Sequence, residues 1–137
     1  MQAKHVWAVL AAALAAGCSG LVTDAVPEEA RLVLTGTTPV DIRVITSTRF
    51  ALFRDPDTGE VSSVLQQADT TDLRPPFDER YDISQFGEFL VKVVNADTTS
   101  AQFDMRISID GDTKFDQTLN MRAADGNAAS YEWRWIY

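Results

Sequence analysis

From residue 31 to the C-terminus the chain alternates apolar and polar positions with a period of two, the spacing of strands that bury one face. The clearest run is residues 101–109, where Ala101, Phe103, Met105, Ile107 and Ile109 alternate with Gln102, Asp104, Arg106 and Ser108. Leu32 and Leu34 mark a first strand over residues 31–35, and Val40, Ile42 and Val44 a second over 40–46. Residues 50–54 read as a third strand and 61–67 as a fourth, although the Val61, Val64, Leu65 spacing also fits a short helix. In residues 86–95, Phe89, Val91 and Val93 share one face while Leu90 and Val94 share the other with Lys92, which predicts a central strand covered on both sides. Residues 113–121 should pair back on 101–109, burying Phe115 and Leu119. Turn chemistry separates the runs: Gly36 to Pro39, Asp55-Pro56-Asp57-Thr58-Gly59, Asp110-Gly111-Asp112 and Asp125-Gly126-Asn127. The polar stretch 68–80, with Pro75-Pro76 and a lone Phe77, reads as a long irregular connection crossing between two sheets. Seven to eight short strands in this order predict an all-β fold, an antiparallel β-sandwich of immunoglobulin-like or related topology.

The first residues follow a different pattern. A short polar head with Lys4 precedes an apolar run over 6–16, then small residues and a single cysteine. That run is far shorter than the roughly 20 apolar residues a membrane-spanning helix requires. Leu14-Ala15-Ala16-Gly17-Cys18 resembles the end of the signal peptide and the lipobox of bacterial lipoproteins, with Leu14 one place further from the cysteine than usual and Ala15 in its position. The resemblance implies cleavage before Cys18 and acyl chains on that cysteine. By similarity to enterobacterial sorting rules, Ser19 implies transfer to the outer membrane, facing the periplasm. The expected organisation is a signal peptide over 1–17, a lipidated cysteine and flexible tether over 18–29, and a β-sandwich domain over 30–137.

Cleavage changes the chemistry available. The chain has 12 basic and 20 acidic side chains, and Lys4 leaves with the leader, so 11 basic residues face 20 acids for a net charge of −9. A surface of that sign repels nucleic-acid phosphates and anionic headgroups, which excludes nucleic acid as an expected partner and assigns membrane attachment to the acyl chains. His5, the only histidine, also lies in the leader. The remaining chain therefore lacks the residues for a Ser-His-Asp or Cys-His centre or a His-ligated metal site, and its single cysteine precludes an internal disulfide. No cofactor is expected.

Two groups of residues carry candidate chemistry. Tyr131, Trp133, Trp135 and Tyr137 fall on one face of a terminal strand and are positioned to stack on sugar rings or a partner's side chains. The competing assignment, preferred here, places the rings in the core, where period-two apolar residues belong. The same alternation resembles the last strand of outer-membrane β-barrels, but Leu90 and Val94 are apolar where a barrel lumen should be polar. Asp55, Asp57 and Glu60, with Asp110 and Asp112 and with Asp125 and Asn127, are weak calcium candidates. None closes its loop with the glutamate of an EF-hand, and Asp and Asn are ordinary turn residues. The expected function is an outer-membrane-anchored, non-catalytic lipoprotein whose sandwich binds or organises an envelope protein or glycan. The alternative is a small envelope polysaccharide hydrolase using paired carboxylates.

Overall fold

The computed structural model describes residues 24–137, so the leader, Cys18, Ser19 and the expectations attached to them lie outside the described residues. Eight strands follow one another: β1 Glu29–Thr35, β2 Ile42–Arg54, β3 Val61–Leu73, β4 Phe77–Asp82, β5 Glu88–Asn95, β6 Ala101–Ile109, β7 Asp112–Met121 and β8 Ala129–Ile136. They form two antiparallel four-stranded sheets, ordered β4-β1-β6-β7 and β3-β2-β5-β8. The chain is thus an all-β sandwich. Its strand order is not the immunoglobulin order, in which the first two strands are neighbours; here β1 lies between β4 and β6 in the opposite sheet from β2. Only the β2–β3 and β6–β7 connections are hairpins within a sheet.

Between the sheets the predicted faces meet. Ala30, Leu32, Leu34, Phe103, Met105, Ile107, Ile109, Phe115 and Leu119 come from one sheet, and Ile42, Val44, Phe89, Val91 and Val93 from the other. Burying a large aliphatic or aromatic side chain contributes about 1.5–3 kcal/mol, so this layer dominates the fold's stability. One open side is closed by the Tyr81 ring, 5.0 Å from that of Phe89. The other is closed by Phe115, whose ring lies 5.5 Å from Tyr131 and 6.4 Å from Trp133.

Two local expectations are corrected. Residues 40–46 and 50–54 are not separate strands but one, β2, interrupted by a bulge. Register shifts flank Arg49: Ser47 pairs with Ala68, Arg49 with Gln67 and Phe50 with Leu65. The extra residues break the alternation, which hides the continuity from a period-two reading. The Ser47 hydroxyl stitches the bulge by donating to the Arg49 carbonyl at 2.7 Å. The strand expected over residues 61–67 is present, but most of 68–80 is not loop: β3 runs on to Leu73 and β4 begins at Phe77. Asp69 to Asp72 are polar on both faces, yet backbone pairing with β2 keeps them extended. What remains is Arg74, Pro75 and Pro76, with a cis bond between the prolines, and this short link does cross from one sheet to the other.

The antiparallel order gives the sandwich two unlike ends. β1 begins, β5 begins and β8 ends at an N-terminal pole, where the Tyr137 hydroxyl donates to the Asp24 carbonyl and the Tyr137 amide donates to the Gly87 carbonyl at 3.0 Å. Residues of the expected tether are held there: Pro27 is buried and Glu29 already belongs to β1. The starts of β2 and β8 and the ends of β3 and β5 mark the far pole.

Candidate functional site

At the far pole, an open depression of about 500 Å³ lies on the outer face of the β3-β2-β5-β8 sheet. Its walls are built from register. Arg43 on β2 sits directly opposite Asp72 on β3, and the guanidinium Nε donates to that carboxylate at 2.8 Å. Arg74, just beyond β3, donates to Asp41 at 2.6 Å. Asp97, in the β5–β6 turn, accepts the Thr99 amide at 2.7 Å. Arg43 holds the Asp72 carboxyl below the usual carboxylate range, and the Thr99 amide and hydroxyl do the same for Asp97. Val40, Val94 and Ala96 complete the lining. Two guanidiniums and three carboxylates at an open mouth can exchange partners with a ligand's own charged or hydroxyl groups.

Beneath the depression, Asn95 is wholly buried and organises the loops. Its amide nitrogen donates to the Thr99 carbonyl at 2.9 Å and the Met121 carbonyl at 2.8 Å, and its amide oxygen accepts the Asp97 amide at 2.9 Å. One side chain thereby sets the position of the β5–β6 turn against the end of β7.

The aromatic residues of β8 do not form an open platform. Tyr131, Trp133 and Trp135 are half-buried and pack against the inter-sheet core. The Trp135 indole N–H is buried and has no acceptor among the described residues, and the Lys114 ammonium lies 5.1 Å from its ring centroid. Tyr137 falls beyond β8, exposed at the N-terminal pole, and is not brought together with the other three.

The acidic turns are occupied by the backbone. Asp55 Oδ1 accepts the amides of Asp57 at 2.8 Å and Thr58 at 3.0 Å, and these bonds lower its pKa. Asp110 Oδ1 accepts the amides of Glu28 at 3.0 Å and Glu29 at 2.9 Å, so it clamps the start of β1. Asp110 and Gly111 both take positive φ in the two-residue β6–β7 turn. Asp112 lies 3.8 Å from the Lys114 ammonium. Asp125 and Asn127 belong to a small turn closed by the Ala124 and Asn127 backbone pairing. Among the described residues no group of three His, Cys, Asp or Glu side chains has metal-holding geometry.

The far-pole depression was missed by the sequence reading. Its signal was present as Asp41-x-Arg43 and Asp72-x-Arg74, but such charges become a site only once β2 and β3 are paired. The outer face of the other sheet carries cross-strand ion pairs of the same kind, without a depression between them: Arg31 with Asp78 at 2.8 Å, Arg80 with Glu29 at 3.2 Å and Arg106 with Asp116 at 3.0 Å. Comparison with known protein families, with curated proteins and with solved structures returns no match.

Proposed function

We propose that the chain is a lipid-anchored envelope protein, held through acyl chains on Cys18, that presents its far pole to an envelope protein or glycan. The observation that carries this reading is the polarity of the sandwich. Residue 24 joins the domain at one pole, and the charged depression opens at the other. A tether at the first pole directs the second away from the bilayer, into the periplasm if the anchor is in the outer membrane. Two acyl signals suffice for stable attachment.

The carboxylates support binding over hydrolysis. A polysaccharide hydrolase needs one carboxyl kept protonated near neutrality as general acid, which requires a raised pKa. At the depression Asp72 and Asp97 are shifted the other way, and Asp41 is paired with Arg74.

Two measurements test the reading. Cys18→Ala should abolish acyl labelling and leave a soluble or leader-retaining form; unchanged detergent-phase partitioning with no loss of acyl label would refute the anchor. A photo-cross-linker replacing Arg43 or Asp97 should capture an envelope component in intact cells, whereas one replacing Arg106 on the opposite sheet should not. Equal capture from both positions would remove the far pole as the binding surface.

A further inference from the structure

Beyond the bulge, the β2–β3 hairpin leaves the plane of its sheet. β3 and β8 are opposite edges of that sheet, three strand spacings or roughly 14 Å apart, yet the Ser63 hydroxyl donates to Glu132 at 2.8 Å. The Phe50 amide likewise reaches the Glu88 carboxylate on β5 at 3.1 Å. The distal hairpin is therefore a ribbon folded back across the outer face of β5 and β8. It buries Leu90 and Phe50, neither of which belongs to the inter-sheet core.

The ribbon's own free face carries exposed apolar side chains beside Ser62. Ala51 and Val64 are directly paired on it, with Phe53 alongside, and all three are exposed. The six large apolar side chains that are exposed among the described residues are Val26, Leu52, Phe53, Val64, Ile136 and Tyr137, each between 44% and 54% accessible. Phe53 and Val64 are on the ribbon's free face, Leu52 is on the ribbon's other side with Ser63, and three are at the N-terminal pole. None lies at the far pole or on the ion-paired outer face of the other sheet.

We propose that this ribbon and the adjoining N-terminal pole rest on the lipid bilayer, as a second contact beside the acyl chains. The inference depends on the lipid-anchored reading of Cys18. The length of chain available is what selects lipid as the occupant. Tyr137 holds Asp24, and Val26 lies with Tyr137 against Gly87, so the chain is already fixed to the domain at residue 24. Only residues 19–23 separate that point from Cys18, a span of at most roughly 20 Å when fully extended. The domain is thus held within roughly 20 Å of the interface, and the apolar surface nearest the attachment point is the one that reaches it first. Tyr137, with an apolar ring and a polar hydroxyl, suits that boundary. The acidic turn of the ribbon, with Asp55, Asp57 and Glu60, keeps the contact shallow and favours zwitterionic over anionic headgroups.

The test uses full-length acylated protein in vesicles of phosphatidylcholine and phosphatidylethanolamine with brominated acyl chains. With the Cys18 sulfur acylated, a cysteine introduced as Val64→Cys or, at the far pole, Thr98→Cys is the only free thiol for a fluorescent label. The label at position 64 should be quenched several-fold more than that at 98, and adding Phe53→Asp should cut the difference by at least half while the protein stays vesicle-bound. Equal, weak quenching at both positions in bound, acylated protein overturns the bilayer contact and leaves the anchor standing. Concentration-dependent cross-linking between labelled positions, with no lipid quenching, overturns it in favour of a second copy of the chain. A free thiol at Cys18, found by mass spectrometry of the membrane-extracted protein, overturns both readings.

Discussion

The Ser63 hydroxyl donates a hydrogen bond to Glu132 across the outer face of a sheet in which their strands are the two opposite edges. Glu132 also pairs with Arg134 at 3.1 Å, so one partly buried carboxylate ties the folded-back ribbon to β8. Ser63→Ala and Glu132→Ala should each cost about 1 kcal/mol, the net worth of an intramolecular hydrogen bond. In both variants the amides of the distal hairpin should exchange hydrogen faster while those of β6 are unaffected. Leu90→Ala, which empties the space under the ribbon, should cost about 2–4 kcal/mol in urea denaturation. A loss below about 0.5 kcal/mol for Leu90→Ala would show that the ribbon does not cover it.

Asn95 answers for two carbonyls and one amide at the far pole. Asn95→Ala leaves the buried Met121 carbonyl and two partly buried turn groups unpaired and should destabilise the domain by about 2–4 kcal/mol, read from chemical denaturation. Asn95→Asp should be worse despite its matching shape, because a carboxylate cannot donate to the Thr99 and Met121 carbonyls and would bring an uncompensated charge into the interior.

Gly87 lies at φ +64°, where a Cβ would stand 2.9 Å from the Tyr137 Cβ and 3.1 Å from Val26 Cγ1. Gly87→Ala should therefore cost about 1–3 kcal/mol through left-handed strain and the clash together. Tyr137 and the segment around Asp24 should be displaced with it. Limited proteolysis should then cut near residue 24 in the variant at a protease concentration that spares the parent.

Arg31 holds Asp78, Arg43 holds Asp72, Ser84 holds Asp82, and backbone amides hold Asp97 and Asp55, each carboxyl below its ordinary value. A carboxyl whose folded-state pKa is lowered stabilises the fold above the unfolded value, near about 3.9, and that stability is lost as pH falls through the folded value. The described residues contain no histidine, so no side chain with an ordinary pKa titrates between pH 5 and 8. Thermal midpoints should be flat across that window and drop below about pH 4. All five carboxyls are exposed, so added salt should weaken the dependence. A midpoint shift of several degrees between pH 6 and 8 would contradict this assignment.

What the sequence determined by itself was whatever local periodicity and turn chemistry dictate. The alternation over residues 101–109 placed β6 without error, and Asp110-Gly111 placed its turn, because one buried face and two positive φ angles leave a direct mark on residue order. The two-sided apolar character of residues 89–94 identified β5 as a central strand, and β2 and β8 flank it. Tertiary structure alone decided what covers its outer side. Leu90 and Phe50 are buried by a ribbon that turns at a bulge, and an extra residue in a strand looks from sequence like the end of that strand. The same holds for the far pole: Arg43 and Asp72 stand 29 positions apart in the chain and become a pair only through the β2–β3 register. Hydrophobic spacing acts on neighbours within a few residues, whereas a shared surface is made by strands whose pairing is set by the whole sheet.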